Sequence, residues 1–284
     1  MLVQRSVRKQ ELAVHIWHIP TSGLESNISS PEYSLPQFDK RVENVLFHPT
    51  TEFILSIAYY DTIKIWDILH QKEISCCQGA TDQLQSTTWR GDGSMLASSG
   101  KDRVVRLHDP RAPHKAALEC NGHQSAKDSR IVWLGDTDSI LSTGYSSSRI
   151  REMSLRDVRA FDKPVKTQQF DASTGILMPL YDADTRMLFL AGKADVSIMY
   201  WEVTNKEPYL TEGLKHTGAL HGAYHHVPGA AQEFHSDLFP DTRSATSAQT
   251  IEAWVTGGNA ALAPLSLDPG KRHAPTLEAS ALIK

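Results

Sequence analysis

The stretch DTIKIWDI, residues 61–68, decides the fold. β-branched residues alternate in it with polar or bulky ones, as in a half-buried β-strand, and the strand ends at Trp66-Asp67. A second alternating run, FILSIAY, precedes it, and Pro49 and Asp61 stand in the turns around that run. The stretch is therefore the last strand of a strand–turn–strand–turn–strand unit that begins near residue 43.

The same order of strands and turns returns along the chain. Further copies occupy residues 85–110, 130–157 and 175–203, and a shorter fragment, ELAVHIWHIP, precedes them all. The copies close at Trp17, Trp66, His108, Leu155 and Trp201. Successive closing positions are 49, 42, 47 and 46 residues apart, close to the period of about 40–45 residues expected of WD repeats. The chain is therefore predicted to be all-β, a WD40-type β-propeller with about five recognisable blades.

A propeller is also the arrangement that such units need. A small antiparallel sheet cannot bury both of its faces alone, whereas neighbouring blades cover one another. Aspartate tolerates turn geometry and tryptophan supplies a large apolar surface with one N–H donor. We therefore expect structural roles for the turn and strand-end residues Asp61, Trp66, Asp67, Asp102, Asp109, Asp195 and Trp201. We expect no helix before residue 245.

The composition narrows the functional classes. The 284 residues carry a net charge of −4, which argues against a dedicated nucleic-acid binder because phosphate neutralisation needs a cationic surface. No run approaches the roughly 18 apolar residues of a spanning helix, and the first residues lack the apolar core of a signal peptide. The three cysteines form no CxxC pair, so no zinc knuckle is expected. We expect an intracellular protein without a cofactor.

Several stretches resemble the coronins. They are RIVWLGDTDSILSTGYSSS (130–148), PLYDADTRMLFLAGKADVSIMYWEV (179–203), SDLFPDT (236–242) and EAWVTGGNAALAPLSLDPG (252–270). The resemblance covers roughly residues 11–270. VHIWHIPTSGLE, residues 14–25, is similar to the second propeller of the long coronins that carry two propellers in tandem.

The resemblance implies a seven-bladed propeller with a C-terminal extension whose apolar run packs beneath the blades. On this basis residues 1–235 are a partial propeller and residues 236–284 are the extension and tail. Roughly one blade and most of a second have no counterpart at the start, and about 30 residues are missing from the stretch around 214–235. Neither a coiled coil nor an acidic tail is present. The resemblance therefore implies a partial copy of the family's propeller.

The family implies a non-catalytic scaffold rather than an enzyme. Its partners would be actin filaments, with the Arp2/3 machinery or membrane-trafficking components as further partners. Its place would be the cytoplasm and cytoskeleton, or the Golgi and vesicle periphery. A WD-repeat adaptor unrelated to actin, such as a ubiquitin-ligase or coat component, is an alternative, although SDLFPDT followed by EAWVTGGN argues against it. A metal-dependent hydrolase on a propeller is a further alternative.

The hydrolase alternative depends on a group of histidines with two nearby carboxylates: His216, His221, His225, His226, His235, Glu233 and Asp237. His221 and His225 have the spacing that would place both on one side of a helix, but glycines and a proline make a loop the simpler interpretation. GYSSS at 144–148 fails the nucleophile-elbow pattern at its last position. No catalytic residue is therefore assigned.

Two groups of cations are candidates for partner binding. The first is Lys101, Arg103, Arg106, Arg111 and Lys115, which we interpret as part of a rim patch, with ordinary surface charge as the alternative. The second is Arg5, Arg8 and Lys9 near the start, with a solvated terminus as the alternative.

Overall fold

The computed structural model describes residues 2–8, 11–20, 23–24, 26–35, 40–112, 116–212, 216–217, 234, 236, 239–268 and 270–271. Nearly all of the regular structure in these ranges is β-strand, arranged in successive antiparallel sheets. We call the five larger sheets I to V in chain order. Within the described residues, no helix has the length and apolar character needed to cross a membrane.

Sheets I and II come from the first 77 residues. Sheet I contains β1 (Leu2–Arg8), β2 (Glu11–Trp17) and β3 (Tyr33–Ser34). Sheet II contains β4 (Val42–Phe47), β5 (Ile54–Tyr59), β6 (Thr62–Asp67) and β7 (Lys72–Cys77). The strands of each sheet lie side by side in chain order, so each sheet is a local meander.

Sheets III, IV and V repeat this arrangement. Sheet III contains β8 (Leu84–Trp89), β9 (Leu96–Gly100), β10 (Val104–His108) and β11 (Leu118–Asn121). Sheet IV contains β12 (Arg130–Trp133), β13 (Ser139–Tyr145), β14 (Arg151–Asp157) and β15 (Lys166–Gln169). Sheet V contains β16 (Leu177–Asp182), β17 (Met187–Gly192), β18 (Ser197–Val203), β19 (Leu210–Glu212) and β20 (His216–Thr217), the last paired with β18.

The sheets stack face to face, and the first strands β4, β8, β12 and β16 lie next to one another. Four apolar cores fill the spaces between sheets I and II, II and III, III and IV, and IV and V. In β6, Ile63 and Ile65 enter the core shared with sheet III, whereas Trp66 enters the core shared with sheet I. The alternation that is typical of a half-buried strand therefore serves two buried faces here.

The all-β propeller prediction is confirmed. The closing residues Trp17, Trp66, His108, Leu155 and Trp201 each lie on the last-but-one strand of their sheet. Before residue 245, the helical structure in the described ranges amounts to one three-residue 3₁₀ turn, Val158–Ala160. The sequence did not locate the last strands β7, β11, β15 and β19, which are short and partly exposed.

After sheet V, the chain forms β21 (Thr242–Arg243), α1 (Ile251–Val255) and β22 (Pro264–Leu265), and β21 pairs with β22. Thr250 caps α1, since its side chain accepts a hydrogen bond from the Ala253 amide at 3.3 Å. We call residues 239–268 the strap, because its contacts reach three different sheets. The division of the chain at residue 236 remains a prediction.

Candidate interaction surfaces

One surface is formed by the turns that join the second and third strands of sheets II to V, and we call it the turn face. The four turns share a backbone feature: Tyr60, Arg103, Arg149 and Ala194 have φ values of 50°, 62°, 61° and 69°. A non-glycine residue seldom adopts this left-handed conformation. Its recurrence at the same place in four sheets shows that the repeat extends to the turn geometry.

Asp102 holds the turn of sheet III in place. Its Oδ1 accepts a hydrogen bond from the Val104 amide at 3.2 Å, and its Oδ2 accepts one from the Thr81 amide at 3.0 Å. Arg106 Nη1 lies 2.8 Å from the same Oδ2. Thr81 precedes the first strand of sheet III, so Asp102 joins the entry of the blade to its central turn. These contacts give Asp102 a structural role.

Asp195 links two blades rather than parts of one. Its Oδ2 accepts a hydrogen bond at 2.7 Å from Arg151, which begins the third strand of sheet IV. Arg151 also donates to Asp171 at 2.6 and 2.7 Å, and only 4% of its side chain is exposed. The sequence analysis did not single out Arg151, because the charge of an arginine does not reveal that it is buried.

The other predicted blade residues have local roles. Asp61 Oδ1 accepts from Thr62 Oγ1 at 3.0 Å, and its Oδ2 lies 3.3 Å from Lys40. Asp67 accepts from the His70 amide, and Asp109 accepts from the Arg111 amide. The two tryptophans, Trp66 and Trp201, are 7% and 1% exposed within inter-sheet cores.

The predicted cationic rim patch is divided by the structure. Lys101 and Arg103 are exposed on the turn face, at the start of β10, whereas Arg111 follows the opposite end of that strand. Arg106 does not belong to an exposed patch: it is 3% exposed and paired with Asp102 and Glu119. Lys115 lies outside the described residues. On the turn face, Arg149 and Lys193 are further exposed cations.

The opposite end of the blades carries the strap. Trp254 is fully buried, its ring centroid lies 5.0 Å from that of His48 and 6.2 Å from that of Trp89, and its Nε1 donates to the Gly93 carbonyl at 3.1 Å. His48 Nε2 bonds the same carbonyl at 3.0 Å. Gly93 needs to be glycine, because its φ is +74° and an added Cβ would lie 2.0 Å from the His48 ring.

Polar contacts extend the strap across neighbouring sheets. Gln249 Nε2 donates to Thr51 Oγ1 at 3.2 Å in sheet II, and Arg111 of sheet III donates to Asn259 Oδ1 at 3.0 Å. Thr242 Oγ1 donates at 2.7 Å to Asp184, in the β16–β17 turn of sheet V. Arg111 therefore stabilises the strap, which is a different role from the partner contact that its charge suggested.

Burial lowers the pKa of both His48 and His108 to about 4, from 6.5. The Nδ1 atom of His48 accepts hydrogen bonds from the Thr50 and Thr51 amides, so protonation there would remove two bonds. His108 occupies the place that tryptophan takes in the other blades, and its Nε2 lies 3.0 Å from Ser98 Oγ. Both histidines are structural and neutral at neutral pH.

These two histidines predict a pH-dependent stability. Their full contribution is present above about pH 6.5, and it is lost as the pH falls towards 4, because the unfolded chain takes up protons that the folded chain rejects. Each histidine adds a slope of about 1.4 kcal/mol per pH unit within that window. Urea unfolding between pH 4.5 and 8 measures the slope. His108→Gln should remove about half of the histidine contribution, and an unchanged slope would contradict the assignment.

The predicted metal site is not testable here, since His221, His225, His226, His235, Glu233 and Asp237 lie outside the described residues, and His216 is described only in its backbone. Elsewhere in the described ranges, no three His, Cys, Asp or Glu side chains are placed to hold a metal ion. Arg5 and Arg8 are likewise described only in their backbone, and Lys9 lies outside.

The sequence is similar to coronins of several lengths. Human Coronin-7 is 32% identical over 294 residues, which cover 93% of this chain and 32% of that protein. Human Coronin-2A is 31% identical, covering 92% of this chain and 57% of that protein. Coronin-A of Dictyostelium discoideum is 30% identical, covering 92% and 65%. The chain spans about a third of the length of the Coronin-7 relatives.

The fold is similar to that of the WD40 domain of Toxoplasma gondii coronin. The TM-score is 0.81 at 24% identity, with 90% of this chain and 75% of that domain covered. A family model described as a type of WD40 repeat matches residues 225–262, a range that includes the first half of the strap. Thus the strap and the blades belong to one repeat-type region.

Proposed function

Since this chain is a coronin-type WD-repeat protein, we propose that it is a non-catalytic scaffold that binds actin filaments in the cytoplasm and organises the cytoskeleton. The observation that carries the proposal is the similarity to coronins along more than nine-tenths of the chain. Arp2/3 and Golgi-linked trafficking components are further proposed partners, in line with the similarity to Coronin-7. The second propeller of a tandem coronin remains the proposed counterpart.

We assign filament binding to the turn face. Loops presented on a rigid array of strands are suited to recognition, and the exposed cations Lys101, Arg103, Arg149 and Lys193 lie there. Acidic side chains such as Asp128 and Asp171 are also exposed near this end of the blades. Lys101 and Arg103 are therefore the strongest local candidates for contact with an acidic filament surface, because they are adjacent in one turn.

Charge reversal at this turn tests the assignment. Lys101→Glu with Arg103→Glu should weaken pelleting with actin filaments by about tenfold at low salt, since contacts at the rim of an interface act through long-range attraction. Binding of the unmodified chain should fall as salt rises. Pelleting across a salt series measures both effects.

Lys72→Glu with Lys206→Glu is the matched control. It makes the same change in net charge at exposed positions near the opposite ends of sheets II and V. We expect it to pellet like the unmodified chain. Equal losses in the two double variants would contradict the turn-face assignment, and no pelleting of the unmodified chain at any salt would favour the adaptor alternative over actin binding.

A further inference from the structure

A groove opens between the outer strands of sheets III and IV, away from the turn face and the strap. Near the inner strands, this interface is closed by apolar side chains of both sheets, among them Leu107, Trp133 and Ile140. Farther out, the residues of sheet IV that face sheet III become polar: Glu152, Ser154 and Arg156 alternate along β14. The groove encloses about 1030 Å³ of empty space, part of it open to solvent.

Arg156 lines this groove and lacks acceptors for most of its donors. Its side chain is in a residue only 5% exposed, and its Nη2 donates to the Asn121 carbonyl at 2.8 Å. Its Nε and Nη1 are buried without an acceptor among the described residues. A buried charged donor without a partner is costly, so it indicates that an acceptor is missing from the free protein.

The surroundings select the kind of acceptor. Both carboxylate oxygens of Glu152 are occupied, one by His123 at 2.8 Å and the other by Gln169 at 3.4 Å. Asp162 also lines the groove but makes no ion pair with Arg156 within 4.0 Å. Hydroxyls of the Ser146–Ser148 turn and of Thr167 add neutral donors along the groove.

We propose that this groove binds an extended acidic peptide segment of another protein, with one carboxylate accepting the Nε and Nη1 hydrogen bonds of Arg156. A guanidinium and a carboxylate match in a two-bond geometry. Since both nitrogen atoms are covered in the free protein, the guanidinium turns towards the groove when the segment binds. Asp162 opposes the incoming carboxylate and limits the affinity.

The test follows the side-chain Nε–H signal of Arg156 by NMR in the full ¹⁵N-labelled chain, assigned through its loss in Arg156→Lys. The probes are Ser-Gly-Ser-Glu-Ser-Gly-Ser, the same peptide with glutamine in place of glutamate, and acetate. The glutamate peptide should shift this signal and bind at least about tenfold more tightly than the glutamine peptide. Acetate should shift the signal at higher concentration.

Two variants make the result decisive. Asp162→Asn should tighten binding of the glutamate peptide, because it removes a repelling charge, and Arg156→Lys should weaken it at least tenfold. The exposed Arg159, which pairs with Asp157, is the internal reference for nonspecific charge effects. A shift at Arg156 no larger than that at Arg159, or equal affinities for the two peptides, would overturn the proposal.

Discussion

Replacing Trp254 by alanine should lower the free energy of unfolding by about 3–5 kcal/mol, the usual cost of removing a large buried aromatic side chain. The residue lies with His48 and Trp89 in the core between sheets II and III, although about 160 residues separate it from them in sequence. Its removal would leave a cavity and would free the Gly93 carbonyl from one donor. Urea unfolding monitored by circular dichroism measures the loss.

Two variants separate the parts of this effect. Trp254→Phe keeps most of the apolar volume but loses the indole N–H, so it should cost about 1 kcal/mol from the hydrogen bond, with a smaller packing loss. Val255→Ala, at a residue that is 45% exposed, should change the stability by less than about 0.5 kcal/mol. If Trp254→Ala behaved like Val255→Ala, the strap would not be part of the folded core.

Replacing Arg151 by methionine should cost about 3–5 kcal/mol, because breaking a buried ion pair leaves the partner charge without compensation. Arg151 joins Asp195 of sheet V to Asp171, which follows sheet IV, and it also donates to the Gly175 carbonyl at 3.2 Å. The stranded partner is Asp195, whose side chain is only 16% exposed. The same unfolding experiment measures this loss.

The two aspartates allow a graded comparison. Asp171 is 54% exposed, so Asp171→Asn should cost less than about 1 kcal/mol, whereas Asp195→Asn should cost clearly more. Arg151→Lys should fall between the unmodified chain and Arg151→Met, since lysine keeps the charge but cannot bridge two carboxylates in the same planar geometry. Equal stabilities for Arg151→Met and Asp171→Asn would show that the bridge between the blades contributes little.

The repeating strands could be predicted because their alternation survives in the three inner strands of each unit. Residues such as Ile63, Ile65 and Trp66 keep that alternation even though both faces of the sheet are covered. The last strands gave no such signal, as in LECN of β11 and LTE of β19, where most side chains are exposed. Their pairing with the strand before them, and not an apolar pattern, makes them strands.

The interaction surfaces were harder to predict, and Arg106 shows why. On the strand VVRLH, a polar residue between apolar ones predicts a solvent-facing side chain. In a stack of blades the second face of the sheet is covered as well, so Arg106 is buried and must be paired within the protein. The strap contacts of Arg111 join positions about 150 residues apart, which no local pattern reveals.

The central claim is a stack of similar sheets held together on one side by the strap, and amide hydrogen exchange of the full chain tests it most directly. The second strands β5, β9, β13 and β17 are paired on both sides, so their amides should be the most protected. Protection should therefore peak near residues 54–59, 96–100, 139–145 and 187–192, with further protection at 251–255. A single protected block without this period, or exchange at 251–255 as fast as in an unfolded peptide, would contradict the account.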